Sequence, residues 1–543
     1  MRVSCALLIA TVTLLSSFDE TSATTDRFLR TQQATDTTNA GVEDEERASG
    51  GLKNLLNLAK LKKGTNDFAK ADLDKMLANP AVKLEMFGRW HKYSTNKLLA
   101  KLDMSKTDNI PYAGMLLEYL NTYRVGPEQR RKYSSRLAAG SGGVVVLLLV
   151  LESSRSLCRT PAETVKLLIQ MHRTLCTTLV QYAARGFKPK FPKWTLRFEL
   201  VRGVMHDAAS MFGDRIVDAT QAPVFRWHSE LFGSFMGWFA LRQHGWSLAP
   251  VHFNGLEHLW LKSSSAASKT DVHERVVVLF YHGGGYAVLS PRMYIPFCCN
   301  LLSAIKHELT SQSSGEGVDV DVFIANYHKL PEHPYPAPAE DAVAVYEYLL
   351  QHEKLQPSQI ILVGDSAGGG LVLSTLLRVK ATGKPNLPLP LAAIVACPLA
   401  DLTGDDDKNK APYCVLSPSI IDASIDAYRP SGKDPRAWED ASPVHCDLRG
   451  LPPVLLQTAS FDYLFDHSVR LAAKAKADGV TNWEIDIHEG VTHVFMVFPD
   501  YVLPYARVGI QNMAAFAVKQ FVGSPRTARN ARDRGERAPS VAA

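Results

Sequence analysis

The sequence predicts an α/β fold with a mostly parallel sheet and helices on both faces. Two apolar runs carry this prediction, VVVLF at 276–280 and IILV at 360–363. Both runs are short, rich in β-branched residues and followed by glycines, which is typical of buried parallel strands. The segment 368–379 after the second run has a helix-compatible composition. Strands that alternate with helices favour a parallel sheet.

The turn after the second strand carries the sequence GDSAG at 364–368. Its glycines let neighbouring backbone come close, so the turn can hold Ser366 between a strand and a helix. This strand–turn–helix context predicts that Ser366 is a nucleophile. A glycine-rich turn that binds phosphate, or that only closes a loop, is the alternative.

The turn after the first strand carries the sequence HGGG at 282–285. Backbone amides of such a flexible segment can face the negative charge that develops on a carbonyl oxygen during acyl transfer. In a chain of this composition HGGG is much rarer by chance than GxSxG. The two motifs together, in this order, predict ester hydrolysis by a serine nucleophile.

A serine hydroxyl needs a base at neutral pH, and the base needs an orienting carboxylate. Residues 453–459 and 483–488 have the patterns of two further strands. Asp462 lies in the loop beyond the first of these strands, and His493 lies in the loop beyond the second. We therefore predict His493 as the general base and Asp462 as its partner.

Two neighbouring residues are alternatives for these roles. Asp466 could replace Asp462, although its position at the start of the run 467–478 suits a helix N-cap better. His488 falls within the strand pattern and is better explained as a packed or surface histidine.

Six blocks of sequence between residues 276 and 521 resemble the hormone-sensitive-lipase-like carboxylesterases of the α/β-hydrolase fold. The blocks are HGGGY, GDSAGGG, Tyr327 with PEHPYPAPAED at 331–341, CPLADLT at 397–403, SFDYLFD at 460–466 and GVTHVF at 490–495. The resemblance implies cleavage of a small-molecule ester through an acyl-enzyme, with no metal or organic cofactor. It also implies that the oxyanion is bound by the backbone amides of Gly283, Gly284 and Ala367.

One block departs from the pattern of that family. Its members usually have Asp-Tyr-Arg-Leu-Ala before PEHP, whereas this chain has NYHKL at 326–330. The departure concerns supporting structure more than chemistry. Glu332 in the PEHP block either supports the glycine loop or only starts a helix.

The N-terminal residues predict a secreted chain. Arg2 precedes an apolar stretch at 5–18 and a small-residue cleavage site at 21–23, so residues 1–23 have the pattern of a signal peptide that is too short to span a membrane. Residues 24–51 are rich in Thr, Ser, Asp and Glu, which predicts a disordered leader.

The leader contains two short motifs, RFLR and EER. The residues that define them are Arg27, Leu29, Arg30, Glu45, Glu46 and Arg47. Their position after a signal peptide resembles the leader of oomycete RXLR effectors, which implies action in host tissue. A random charged linker is the alternative.

The segment 52–137 has a mostly helical pattern that resembles the small helical WY module of RXLR effectors. Trp90 and Tyr119 would form its core pair, with Phe87, Leu98, Leu102, Met115 and Tyr123 also at helical spacings. An ordinary helical core explains these aromatic residues equally well. The resemblance assigns no catalytic residue to this module, so it would serve packing or partner binding.

The remaining segments predict a linker, a helical cap, the catalytic domain and a tail. Their bounds are 138–159 for the linker, 160–250 for the cap, 251–523 for the catalytic domain and 524–543 for a disordered basic tail. The linker includes an apolar run at 144–151 that is too short to cross a bilayer. A membrane-touching surface is the alternative for the aromatic-rich cap, and 404–440 is expected to add to the cap.

Composition agrees with a globular chain of more than one core. The 543 residues carry a net charge of +5, and no basic–aromatic motif for nucleic acid is present. The eight cysteines are scattered and lack metal-ligand spacing. Two function classes follow, a secreted esterase that acts on host esters and an effector that binds a host protein with the hydrolase as scaffold. A gene-model fusion near 138–160 is a third explanation of the domain order.

Overall fold

The structure is a computed structural model that describes two parts of the chain. These are residues 67–102 except 91 and 94, with positions 112, 115 and 119, and residues 157–523 except 264–273, 312–317, 405–410 and 431–434. The predicted signal peptide, the RFLR and EER motifs of the leader and the basic tail lie outside the described residues. The described residues fall into two compact units, one up to position 119 and one from position 157 onward.

The N-terminal unit contains short helices around an aromatic core. Its helices are α1 (Lys70–Ala78), α2 (Pro80–Trp90) and α3 (Thr95–Leu102). Trp90 and Tyr119 are fully buried and contact edge to face, with ring centroids 5.3 Å apart. The indole N–H of Trp90 also donates to the carbonyl oxygen of Asp67 at 3.1 Å. The predicted core pair is thus in contact, whereas Tyr123 lies outside the described residues.

The C-terminal unit is built on one sheet, which among the described residues has eight strands in the order β1-β2-β4-β3-β5-β6-β7-β8. The strands are β1 (Ser247–Phe253), β2 (Leu256–Lys262), β3 (Glu274–Tyr281), β4 (Val318–Ala325), β5 (Ile360–Asp365), β6 (Ala392–Ala396), β7 (Val454–Phe461) and β8 (Trp483–Thr492). β2 pairs antiparallel with both β1 and β4, and the pairs from β4 through β8 are all parallel. The predicted mostly parallel sheet is confirmed.

The central strands are buried on both faces. Each residue of the run 276–280 in β3 is at most 1% exposed, and β5 and β6 are buried along their whole length. Burial on both faces explains why these strands are continuous apolar runs. Edge strand β8 instead mixes exposed and part-buried residues along most of its length, so its sequence alternates.

Helices cover both faces of the sheet. In chain order they are α4 (Pro161–Ala184), α5 (Leu196–Phe212), α6 (Gln221–His244), α7 (Ile295–Ser311), α8 (Ala337–Gln351), α9 (Ala367–Thr382), α10 (Pro418–Tyr428), α11 (Phe465–Ala477) and α12 (Ala506–Val522). α7 packs against α12, and α8 packs against α9. No helix in the described ranges is long and apolar enough to cross a bilayer.

Residues 160–250 contain the helices α4, α5 and α6 and end in strand β1. α4 and α5 begin at threonine N-caps, where Thr160 accepts from the Glu163 amide and Thr195 accepts from the Phe198 amide. β1 starts at Ser247, before the expected start of the sheet domain at 251. The reason is a tight hairpin between β1 and β2, since both residues of the Asn-Gly turn at 254–255 have positive φ.

Candidate active site

Ser366 lies at the turn between β5 and α9 in a backbone conformation that a serine rarely adopts. Its φ is 52° and its ψ is −122°, which is strained for a residue with a side chain. The turn is held by backbone bonds from the Ser366 amide to Ala396 and from the Leu399 amide to Ser366, both 2.9 Å. A Cβ at Gly368 would lie 2.0 Å from the carbonyl oxygen of Tyr281, so this position requires glycine. The geometry agrees with the strand–turn–helix context that the sequence predicted.

His493 and Asp462 form a buried pair in the loops that follow β8 and β7. The Nδ1 atom of His493 lies 2.9 Å from both carboxylate oxygens of Asp462. The two residues are 2% and 3% exposed, so the pair is shielded from water. Nδ1 donates to the carboxylate, which leaves the Nε2 atom of this ring as the nitrogen that can accept a proton.

The two alternative residues occupy other environments. Asp466 lies in the first turn of α11, where a carboxylate interacts favourably with the helix dipole. The ring of His488 contacts the Asp486 carboxylate at 2.8 Å and the Tyr505 hydroxyl at 3.0 Å. His488 is therefore a packed histidine that is 3% exposed.

Ser366 and His493 line one small cavity at the carboxyl ends of the strands. The cavity has a volume of about 30 Å³, enough for about two water molecules. Gly284 and Gly285 also line it. Apolar side chains also line it, and three of them, Ile216, Ile420 and Ile421, come from the segment 213–217 and from α10. Within the segment 404–440, α10 thus contributes residues to the lining of this cavity.

The glycine loop is anchored to the serine turn by Asp365. The Gly283 amide donates to Oδ1 of Asp365 at 2.9 Å, and the Tyr294 hydroxyl donates to Oδ2 at 2.9 Å. The Gly283 amide is therefore engaged by a carboxylate, which differs from the oxyanion role that the sequence predicted for it. Gly284 has a φ of 119°, and a Cβ there would lie 2.2 Å from the carbonyl oxygen of Val288.

The protonation state of the Asp365 carboxyl makes this anchor dependent on pH. Burial raises the pKa of its carboxyl from 3.8 to about 6, against the hydrogen bonds from Tyr294 and Gly283 that lower it. An acid with a raised pKa in the folded state binds its proton more tightly when folded. Its contribution to the free energy of unfolding is therefore largest below about pH 4 and is lost as the pH rises through about 6.

We expect Asp365→Asn to gain stability relative to the wild type as the pH rises from 5 to 8. The amide keeps an oxygen for the Gly283 N–H but carries no charge, so it avoids the cost of a buried carboxylate. The gain should be about 1 kcal/mol over this range. Urea unfolding of both proteins at pH 5 and pH 8 measures it, and a difference that does not change with pH would contradict the raised pKa.

Glu332 binds a residue of the cap. Arg226 of α6 forms a two-pronged ion pair with its carboxylate. The same guanidinium donates to the carbonyl oxygens of Ala287 at 3.2 Å and Leu330 at 3.0 Å. The structure thus connects Glu332 to the glycine loop, which is the first of the two roles that the sequence left open.

The block that departs from the family pattern is stabilised locally. The Asn326 side-chain oxygen accepts from the Tyr327 amide at 3.1 Å and from Lys329 Nζ. The Tyr327 hydroxyl donates to the carbonyl oxygen of His282 at 2.8 Å, directly before the glycines. The retained Tyr327 thus contacts the glycine loop, and residues 326–330 do not line the cavity that Ser366 and His493 line.

Sequence reasoning missed three side chains at this site. Asp365 is within the GDSAG motif, but no spacing rule indicates that it reaches across to Gly283. Tyr294 and Cys414 are far from the site in sequence, and neither belongs to a block that the sequence analysis singled out. The cysteines at 158, 176, 298, 299, 397, 414 and 446 are free. Within the described part of the chain, the side chains of Cys397, Asp462 and His493 have ligand atoms within 4.8 Å of one another.

Comparison with known proteins finds matches to two family models. The model of the family described as α/β hydrolase fold matches residues 278–497. The model of the family described as RXLR phytopathogen effector protein, with avirulence activity, matches residues 2–126.

The matches to individual relatives cover most of the length of each relative. An acetyl-hydrolase of Streptomyces hygroscopicus is 34% identical over 242 residues, which cover 44% of this chain and 74% of the relative. An esterase of Acinetobacter venetianus is 29% identical over 276 residues, which cover 50% of this chain and 81% of the relative. A crystal structure of an esterase from the bacterial hormone-sensitive lipase family has 25% identity and a TM-score of 0.44, and the match covers 64% of this chain and 98% of that one. The RXLR effector model matches only the N-terminal residues 2–126, and the chain belongs to the α/β-hydrolase-fold family of carboxylic ester hydrolases.

Proposed function

We propose that this chain is a secreted serine carboxylesterase that cleaves short-chain esters in host tissue. The observation that carries the proposal is the pairing of His493 with Asp462 at the edge of the cavity that Ser366 lines. A nucleophile, a base and an orienting carboxylate are the parts that acyl transfer through a serine requires.

In the proposed mechanism Ser366 Oγ attacks the ester carbonyl while His493 Nε2 takes its proton. Asp462 holds the imidazole in the tautomer with the proton on Nδ1 and stabilises the imidazolium that forms. His493 then gives the proton to the leaving alcohol, and the acyl group remains on Ser366. Water attacks this acyl-enzyme in the same way and releases the carboxylic acid.

We propose Gly284, Gly285 and Ala367 as the amides that bind the oxyanion. Gly284 and Gly285 line the cavity beside Ser366, and Ala367 is the first residue of α9, where amides lack an acceptor within the helix. Gly283 instead donates to Asp365, so its role is to hold the loop. Removing one oxyanion donor typically costs on the order of 10²–10³ in kcat.

The size of the cavity supports a preference for short acyl chains. An acyl chain longer than an acetyl group would meet Ile216, Ile420 and Ile421, which line the cavity. A misfit of one methylene is worth roughly 10-fold or more in specificity. A relative whose name is acetyl-hydrolase agrees with this preference.

We expect kcat/KM to fall steadily from p-nitrophenyl acetate to the octanoate. Stopped assays with each ester of the series measure kcat/KM. Ile420→Ala is the variant that enlarges the cavity, and Ile487→Ala, at an exposed position of β8, is its control. Ile420→Ala should raise the relative rate on longer chains, and Ile487→Ala should not. A wild-type rate that rises with chain length would contradict the proposal.

Secretion and action in the host are supported by the N-terminal sequence. The pattern of a signal peptide at 1–23 is followed by the motifs with Arg27, Leu29 and Arg30 and with Glu45, Glu46 and Arg47. The match of residues 2–126 to the RXLR effector family agrees with this role. The catalytic unit would then reach esters of the host.

A second candidate function is binding of a host protein, with the hydrolase as scaffold. One face of α6 exposes Leu231, Phe235, Trp238 and Phe239, three of them about half exposed. The buried face includes Gly233 and Gly237, and a Cβ at Gly233 would lie 2.4 Å from the Arg292 backbone. The helix thus packs through small residues and presents aromatic ones, which are common at protein interfaces. Ser366→Ala separates the two candidates, since only the esterase function requires the nucleophile.

A further inference from the structure

Residues 411–417 form a segment, here named the strap, that connects the cap helix α5 to both loops of the acid–base pair. His206 of α5 donates through Nδ1 to the carbonyl oxygen of Cys414 at 3.0 Å. The Val415 amide donates to Thr492 Oγ1 at 2.9 Å, directly before His493. The strap is therefore bonded on one side to the cap and on the other to the loop of the base.

The thiol of Cys414 joins the strap to the loop of Asp462. Its Sγ accepts hydrogen bonds from the amides of Leu416 and Tyr463, both at 3.3 Å. The same sulfur lies 3.9 Å from Oδ1 of Asp462, within reach of an S–H···O bond. Cys414 is fully buried. Its neighbours therefore fix the thiol at one position beside the carboxylate.

The thiol is a donor because it stays protonated. Burial and, after it, the charge of Asp462 raise the pKa of Cys414 to about 12. Cys397 is a second buried thiol beside the carboxylate, and its pKa is also raised, first by burial and then by Asp462. Both thiols can thus give an S–H to the carboxylate at neutral pH.

A buried carboxylate needs such donors. Asp462 is 3% exposed, and burying a charge is costly unless it is hydrogen-bonded. Oδ1 accepts from the Leu464 amide at 2.9 Å as well as from His493. The thiol adds a donor on the same oxygen, and it limits rotation of the carboxylate away from the imidazole.

We propose that Cys414 is a positioning residue, whose neutral thiol donates to Asp462 and thereby holds this carboxylate in line with His493. The proposal rests on the proposed function of the Ser366, His493 and Asp462 side chains. It assigns a role in the reaction to the strap, through which the cap contacts the acid–base pair.

The test compares Cys414→Ala, Cys414→Ser and a matched control, Cys299→Ala. Burial raises the pKa of Cys299 to about 12, so the control also removes a buried, protonated thiol. We measure kcat and KM on p-nitrophenyl acetate across pH, the melting temperature and fluorophosphonate labelling of Ser366. Serine offers an O–H donor and an acceptor for the two amides in place of the thiol.

We expect Cys414→Ala to lower kcat about 10-fold with KM little changed, as for loss of a hydrogen bond to a charged group. The ascending limb of the kcat pH profile should move to higher pH, because a carboxylate with one donor fewer holds the imidazolium proton more firmly. Cys414→Ser should restore both quantities relative to Cys414→Ala. If Cys414→Ala does not fold, Cys414→Ser is the deciding variant. The ascending limb of its kcat pH profile should lie at the same pH as that of the wild type or at lower pH.

Other results would overturn the proposal. A lower melting temperature with unchanged kcat and pH profile would assign Cys414 a purely structural role. Equal losses of kcat in Cys414→Ala and Cys299→Ala would have the same meaning. In both cases labelling of wild-type Ser366 would leave the esterase function intact, whereas absence of that labelling would reject the proposed function itself.

Discussion

Ser366→Ala is expected to lower kcat on p-nitrophenyl acetate by on the order of 10⁶-fold, as for loss of the nucleophile in other serine hydrolases. The alanine retains the backbone of the turn but has no Oγ to form the acyl-enzyme. The residual rate would come from the oxyanion amides and from binding of the ester. The same variant should lose covalent labelling by a fluorophosphonate. Gel fluorescence compares the labelling of the two proteins, and peptide mapping of the wild type identifies the labelled residue.

The control for this loss is Ser234→Ala, which removes an exposed serine of α6. It should keep full activity and full labelling. Equal labelling of the wild type and Ser366→Ala would reject Ser366 as the nucleophile. A loss of folding in Ser366→Ala would be visible in the melting temperature, so inactivity of a folded variant can be assigned to chemistry.

Ser366→Ala also separates the two candidate functions. In plant tissue, an effector that acts as an esterase should lose its effect together with the serine. An effector that acts by binding should keep its effect in Ser366→Ala and lose it when Phe235 and Trp238 of the exposed α6 face are both replaced by serine. Full effect in the inactive variant would identify binding as the function.

Asp462→Asn should lower kcat by on the order of 10⁴-fold with little change in KM. The asparagine can turn its NH₂ group toward Nδ1 of His493, which favours the tautomer with the proton on Nε2. That ring can no longer accept the proton of Ser366. Since the two side chains have nearly the same shape, the fold should survive. Circular dichroism measures the fold, and steady-state kinetics measures kcat and KM.

Asp466→Asn is the matched control for the acid. Asp466 lies in the first turn of α11, so its replacement should cost only a few tenths of a kcal/mol of stability through the helix dipole. Its kcat should remain close to that of the wild type. The opposite pattern, with a large loss in Asp466→Asn alone, would exchange the roles of the two carboxylates.

The fold could be predicted where burial on both faces leaves continuous apolar runs. β3 and β5 were visible for this reason, and the glycines after them marked the carboxyl ends of the strands. The hairpin of β1 and β2 was missed because β1 is exposed or part-buried throughout and carries no apolar run, although β2 is buried at 258–261. Its Asn-Gly turn at 254–255 was a local signal that could have indicated it.

The site could be predicted where one motif contains both the residue and its surroundings. The context of Ser366 is local, and the order of strands and loops was enough to select Asp462 and His493. The engagement of Gly283 depends on a contact between two loops, which local sequence cannot show. Cys414 likewise meets Asp462 only through the fold of the strap.

The cavity beside Ser366 is lined by residues from two kinds of element. Ser366 and His493 follow strands of the sheet, whereas Ile216 and Ile420 belong to the helical segments 213–217 and 418–428. Exchange of these isoleucines can therefore change which acyl chain fits, while the elements that hold Ser366 and His493 stay as they are. Substrate preference and reaction chemistry can thus evolve separately in this fold.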